Sequence, residues 1–210
     1  MGSGMDEWNA SGLSRRQFLK FVAGGAALWL ASPAHNWFAS TPLNADTHAY
    51  RVGVGNLADP YAATMNAVKA SGEWPADRIA GRTVIIKTNL VSGLPTKYAA
   101  NTDPGVARAL VDLALFFDAD KVFIVESSLE GTRFSESGYD FFKSYDERVA
   151  LVDLADWPVG IFPVPGALAY RWLYLPKPLM DPEVVFISAA KLNTHGDAVA
   201  TLSTKNLYCC

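Results

Sequence analysis

The chain has 210 residues with a net charge of −3; half of them are hydrophobic and 19% are charged. That balance excludes a disordered chain and argues against a nucleic-acid-binding domain, which is usually basic. No apolar run reaches the roughly 20 residues a membrane span needs.

The first element is Ser14-Arg15-Arg16-Gln17-Phe18-Leu19-Lys20, followed by the short apolar run Phe21 to Ala31 and the small residues of Ser32-Pro33-Ala34. Paired arginines, a short apolar stretch and a small-residue cleavage site read as a twin-arginine export signal. This reading assigns residues 1–34 to the signal and 35–49 to a polar linker, leaving residues 50–210 as one α/β domain. It implies the twin-arginine translocation machinery as a partner, a periplasmic or other extracytoplasmic location, and no stable membrane span once the signal is removed.

From Tyr50 onward short β-branched runs alternate with helical patterns. Arg51-Val52-Gly53-Val54 is a candidate first strand. Asp59-Pro60 is an N-cap followed by proline at the first helical position, which opens a helix with Tyr61, Met65 and Val68 on one face. Arg82 to Lys87 is a continuous apolar run of the kind buried on both faces. Asp103-Pro104 repeats the helix-opening signature before the stripe Val106, Leu110, Leu113 and Phe117. Lys121 to Val125 and Val149 to Val152 read as strands, and Phe134 to Ser144 as helical. Residues 156 to 182 hold six prolines and read as extended edge strands and loops. Val184 to Ser188 is the last strong strand, and Ala198 to Tyr208 has a helical pattern. The chain stops inside that pattern without a Gly or Pro, which reads as a chain continuing beyond Cys210. The two cysteines, Cys209 and Cys210, are adjacent and unsuited to a structural bridge.

Strands alternating with helices predict a mostly parallel sheet with helices on both faces, with ligands beyond the carboxyl ends of the strands. Four strand exits carry polar groups: Lys87-Thr88-Asn89, Glu126-Ser127-Ser128, Asp153, and Lys191 to Asp197. The final helix adds Ser203, Lys205 and Asn206. On one rim, Lys87, Lys191 and Lys205 supply point charges for a small anionic ligand, while Asn89, Thr194 and Asn206 supply oriented polar groups. His195 is the only histidine outside the signal and linker. With Lys191 it is the candidate catalytic pair, moving a proton near neutral pH. His195 and Glu126 are also candidate metal ligands, with Asp153 able to complete the set or orient the imidazole. Each residue has a plainer reading as well: Lys87 as a solvated strand end, Asn89 as an Asx turn, Glu126 as a cap and His195 as a hydrogen-bonded loop residue. Gly53-Val54-Gly55 lacks the third glycine of a dinucleotide fingerprint, and no phosphate loop, His-Glu-x-x-His or Gly-x-Ser-x-Gly motif is present.

Val84-Ile85-Ile86-Lys87-Thr88-Asn89-Leu90-Val91, the helix start Thr102-Asp103-Pro104-Gly105, and the strand Val122 to Ser127 together carry a family resemblance. Its most specific part is Lys191-Leu192-Asn193-Thr194-His195-Gly196 followed by Thr201 to Leu207. These motifs resemble the domain of unknown function 362 family, over residues 50 to 210. Thr88 stands where that family usually has Pro, and Asn193 where it often has Lys. Members are sometimes fused to iron–sulfur modules, but this sequence has no ferredoxin-like cysteine set. The resemblance implies fold and site positions and leaves the cofactor and the reaction open. Either a catalyst acting on a small anionic substrate or a non-catalytic periplasmic binding or redox accessory protein fits.

Overall fold

A computed structural model describes residues 51–90, 100–127, 134–167, 170–195, 199–201 and 203–208, with the backbone alone at 194, 195, 199–201, 204 and 208. The chain divides into two units, residues 1–49 and 50–210. Residues 1–34, read from the sequence as an export signal, residues 35–49, read as a linker, and Cys209-Cys210 lie outside the described residues. Among those described, no helix is long and apolar enough to cross a membrane.

The second unit is α/β. Four parallel strands, β1 (Thr83–Lys87), β2 (Lys121–Glu126), β3 (Val149–Asp153) and β6 (Val185–Ser188), form a sheet in the order β3-β2-β1-β6. β1 lies between two neighbours, which is why its sequence is apolar on both faces. On one face Val84, Ile86, Val122 and Ile124 pack with Ala107, Leu110, Val111 and Ala114 of helix α2 (Pro104–Phe116). On the other, Ile85 and Val125 meet Leu154, from the 3-10 helix Leu154–Asp156, and Leu179, from the 3-10 helix Lys177–Met180.

Helix α1 (Pro60–Ser71) begins as its sequence implies. Asp59 Oδ2 accepts from the Ala62 amide at 2.9 Å, Pro60 opens the first turn, and Gly72 closes the helix in the left-handed region with φ 66°. Asp103 caps α2 in the same way, accepting from the Gly105 amide at 2.8 Å. Asp112 of α2 joins the neighbouring elements by accepting from Tyr61 on α1 (2.9 Å) and from Tyr145 (2.6 Å).

Three expectations are corrected. Residues 51–54 make no strand. Glycine alternates with valine there, and the glycine side lies directly on the α1 backbone at Ala63 and Ala67, leaving Val52 and Val54 outward. In the segment 134–144 only Asp140–Ser144 is a 3-10 helix, because Gly138 turns the chain at φ 82°. The strand exit 191–197 contains strand β7 (Asn193–His195), antiparallel to β8 (Val199–Thr201). The last helix, α3, is therefore confined to Ser203–Tyr208, since Val199 and Thr201 favour a strand. The proline-rich segment holds β4 (Val159–Pro163) and β5 (Trp172–Pro176) as a separate antiparallel pair.

Candidate functional site

Parallel strands place their carboxyl ends on one rim, and the polar residues there are buried together. Lys87 ends β1 and Glu126 ends β2, on adjacent strands. Their side chains are 1% and 4% exposed and form an ion pair. The Lys87 ammonium also donates to the Thr88 carbonyl (2.8 Å) and to Asn206 Oδ1 on α3 (3.4 Å). Three donors meet three acceptors, as a buried ammonium requires.

The Glu126 carboxylate is held from several sides. Oε1 accepts from the Ser127 amide at 2.9 Å; Oε2 accepts from the Leu90 amide at 2.6 Å and from Thr88 Oγ1 at 3.5 Å. This carboxylate therefore fixes the roots of the segments leaving both β1 and β2. Burial pushes its pKa above the usual carboxylate range, while Lys87 and the two amides act in the opposite direction.

Asn206 completes the junction. Its amide donates to the Lys87 carbonyl (3.1 Å) and to Ser188 Oγ at the end of β6 (3.0 Å). Lys87, Glu126 and Asn206, named from strand and helix positions, thus come together although 119 residues separate the first from the last.

A second buried layer adjoins the first through Thr102, immediately before α2. Its hydroxyl donates to the Ala189 carbonyl (2.7 Å) and accepts from the Asn89 amide (3.0 Å), while its carbonyl accepts from Tyr139 (2.9 Å). Burial raises the Tyr139 phenol, which stays protonated as the donor. The side-chain amides of Asn89 (3.4 Å) and Asn193 (3.3 Å) both donate to the Ala100 carbonyl. Asn89 is thus built into the rim beside the ion pair.

Lys191 and Lys205 are half-buried. Lys191 follows the end of β6, and Lys205 precedes Asn206 on α3. Thr194 and His195 lie in β7, and their side chains are outside the described atoms. Asp153 stands opposite Glu126 in the β2–β3 register but caps the next turn, accepting from the Ala155 amide at 2.9 Å. Among the described residues no three His, Cys, Asp or Glu side chains gather as a metal set.

The sequence reading assigned no site role to Thr102, Ser188 or Tyr139. Thr102 had a visible signal, the Thr-Asp-Pro helix start; nothing in the sequence marked Ser188 or Tyr139.

Residues 84–210, from β1 through the Lys87, Glu126 and Asn206 positions to the end of the chain, match the family described as Domain of unknown function (DUF362). The chain belongs to this family. No curated protein and no solved structure matches it. In this DUF362 chain the matched region starts at β1, so α1 and the glycine segment before it precede the match.

Proposed function

We propose that this DUF362 protein is exported by the twin-arginine route and binds a small anionic ligand or cofactor at the carboxyl rim of its sheet. The observation that carries the reading is the Lys87–Glu126–Asn206 junction, which draws the exits of β1, β2 and β6 and helix α3 into one buried polar cluster. Lys87 is neutralised within that cluster. The charge that meets the ligand then comes from Lys191 and Lys205, with Asn89 and Thr194 as polar neighbours and Lys87 and Asn206 setting the frame. His195 moves a proton, with Lys191 as the second catalytic group, if the bound anion is a substrate. A metal held by His195 and Glu126 is the weaker form of this reading, because a cation at Glu126 competes with the ammonium already there.

Titration calorimetry of the full chain with inorganic phosphate and small carboxylates tests the site. Lys191→Ala and Lys205→Ala are each expected to weaken binding by about tenfold, as loss of a charge-assisted contact does. Unchanged affinity in both variants, or no anion binding by the wild type, rejects it. Export is tested separately by fractionating cells that carry Arg15→Lys and Arg16→Lys together; undiminished export would refute the signal.

The internal neutralisation of Lys87 by Glu126 favours a second reading, static recognition without chemistry. Turnover that follows one group near neutral pH and disappears in His195→Ala supports the catalyst; binding without product supports the receptor.

A further inference from the structure

Proton accounting at the Lys87–Asn206 contact singles out Ser188. The Asn206 amide has one allowed orientation. Its Oδ1 faces the Lys87 ammonium, which only donates, and its Nδ2 faces the Lys87 carbonyl, which only accepts. The second bond from Nδ2 goes to Ser188 Oγ at 3.0 Å, so this hydroxyl is an acceptor toward Asn206. A serine hydroxyl also carries one proton of its own. Among the described residues that proton has no acceptor.

The place of Ser188 in the fold gives the proton a use. Val184 to Ile187 is apolar, and Ser188 is the first polar residue as β6 reaches the carboxyl rim, level with Lys87 in the β1–β6 register. It is half-buried, at the boundary between the core and the rim. Lys191 follows three residues later, and Lys205 immediately precedes Asn206. Those lysines supply charge with little direction, because an ammonium is a point charge on a flexible stem. Ser188 supplies direction. Its place at a strand end and the bond it accepts from Asn206 confine its hydroxyl proton to a narrow arc, and a few fixed polar groups are what orient a ligand in a site.

We infer that Ser188 is a ligand-contacting residue of the rim, its hydroxyl donating to an oxygen of the bound anion while accepting from Asn206. The ligand class is thereby narrowed to small oxyanions, phosphate or carboxylate, which present such an oxygen. This inference rests on the anion-binding reading of the rim and adds a residue which that reading does not use. Ser188 is a binding donor and takes part in no covalent step.

Titration calorimetry of the full chain with inorganic phosphate and with acetate tests it; the anion that binds the wild type identifies which of the two the site takes. Affinity for that anion should fall about tenfold in Ser188→Ala, as loss of a hydrogen bond to a charged acceptor does. A double-mutant cycle separates direct contact from an effect carried through Asn206: the same loss should persist when Ser188→Ala is made in an Asn206→Ala background. If Asn206→Ala does not fold, hydrogen exchange at residues 203–208 of Ser188→Ala takes the place of the cycle, and exchange as in wild type beside weakened binding supports direct contact. Unchanged affinity in Ser188→Ala, while Lys191→Ala and Lys205→Ala bind more weakly, overturns this inference and leaves the anion site standing. A loss that vanishes in the Asn206→Ala background, or faster exchange at residues 203–208 where the cycle is closed, also overturns it and makes Ser188 a support for α3. Binding of neither anion by the wild type overturns both.

Discussion

The Lys87 ammonium and the Glu126 carboxylate pair across the β1–β2 ladder with almost no access to water. Neither charge has solvent to fall back on, so each depends on the other and on surrounding backbone groups. The pair sits where ligands bind in parallel sheets, so its energetics bear on the fold and the rim together.

Removing one partner leaves an uncompensated buried charge. Lys87→Met and Glu126→Leu are each expected to lower unfolding free energy by about 3–5 kcal/mol, whereas the double variant costs much less than their sum. Urea unfolding of the four proteins checks this. Additive losses would mean that the two charges are satisfied separately.

The pH response of this pair has a defined sign. Burial raises the Glu126 pKa, so the folded state holds the proton more tightly than the unfolded chain. That contribution to stability is complete below the ordinary carboxylate range and is lost as pH rises through the raised folded value. Asp146, held low by its bond to Arg148, contributes with the opposite sign, so the two must be separated. The difference in urea midpoint between wild type and Glu126→Gln should therefore decline with rising pH over that window and then level off. A difference that climbs over the same window would mean that the attraction of Lys87 outweighs burial.

Much of the frame is legible in the sequence, because its signals are local. The run Val84-Ile85-Ile86 belongs to a strand covered on both faces, and Asp59-Pro60 and Asp103-Pro104 open helices by chemistry confined to one turn. The errors have tertiary causes. Residues 51–54 have strand-like alternation, but their glycines fit a helix surface. Val199 to Thr201 follows a helical pattern but finds a ladder with β7. At the rim, chain order puts Lys87 and Glu126 at strand ends, whereas their pairing depends on β1 and β2 being neighbours. That Asn206 reaches both Lys87 and Ser188 is a property of packing that no spacing reports.

Asn206 connects α3 to the sheet through the buried Lys87 carbonyl and the part-buried Ser188 hydroxyl. Asn206→Leu should cost about 1–3 kcal/mol, because it strands the Lys87 carbonyl contact and removes an acceptor from the ammonium. Hydrogen exchange should speed up at residues 203–208 more than at the centre of β1. Uniform acceleration across the sheet would instead assign Asn206 to the global core.

The glycine segment offers a sharper steric test. A Cβ at Gly53 would overlap the Ala67 carbonyl oxygen and lie 2.6 Å from the Ser71 amide nitrogen, and both obstacles are helix backbone. No rotamer change relieves that clash, so Gly53→Ala must move the segment off α1 or shift the helix. Overpacking of this kind costs about 1–3 kcal/mol, but here the segment can leave with few contacts broken, which favours the lower figure. Limited proteolysis should therefore cut residues 51–58 of Gly53→Ala faster while the urea midpoint falls only slightly. Val54→Ala trims an outward side chain and should leave both readouts near wild type. Equal protection of the segment in Gly53→Ala and wild type would show that residues 51–56 do not lie against α1.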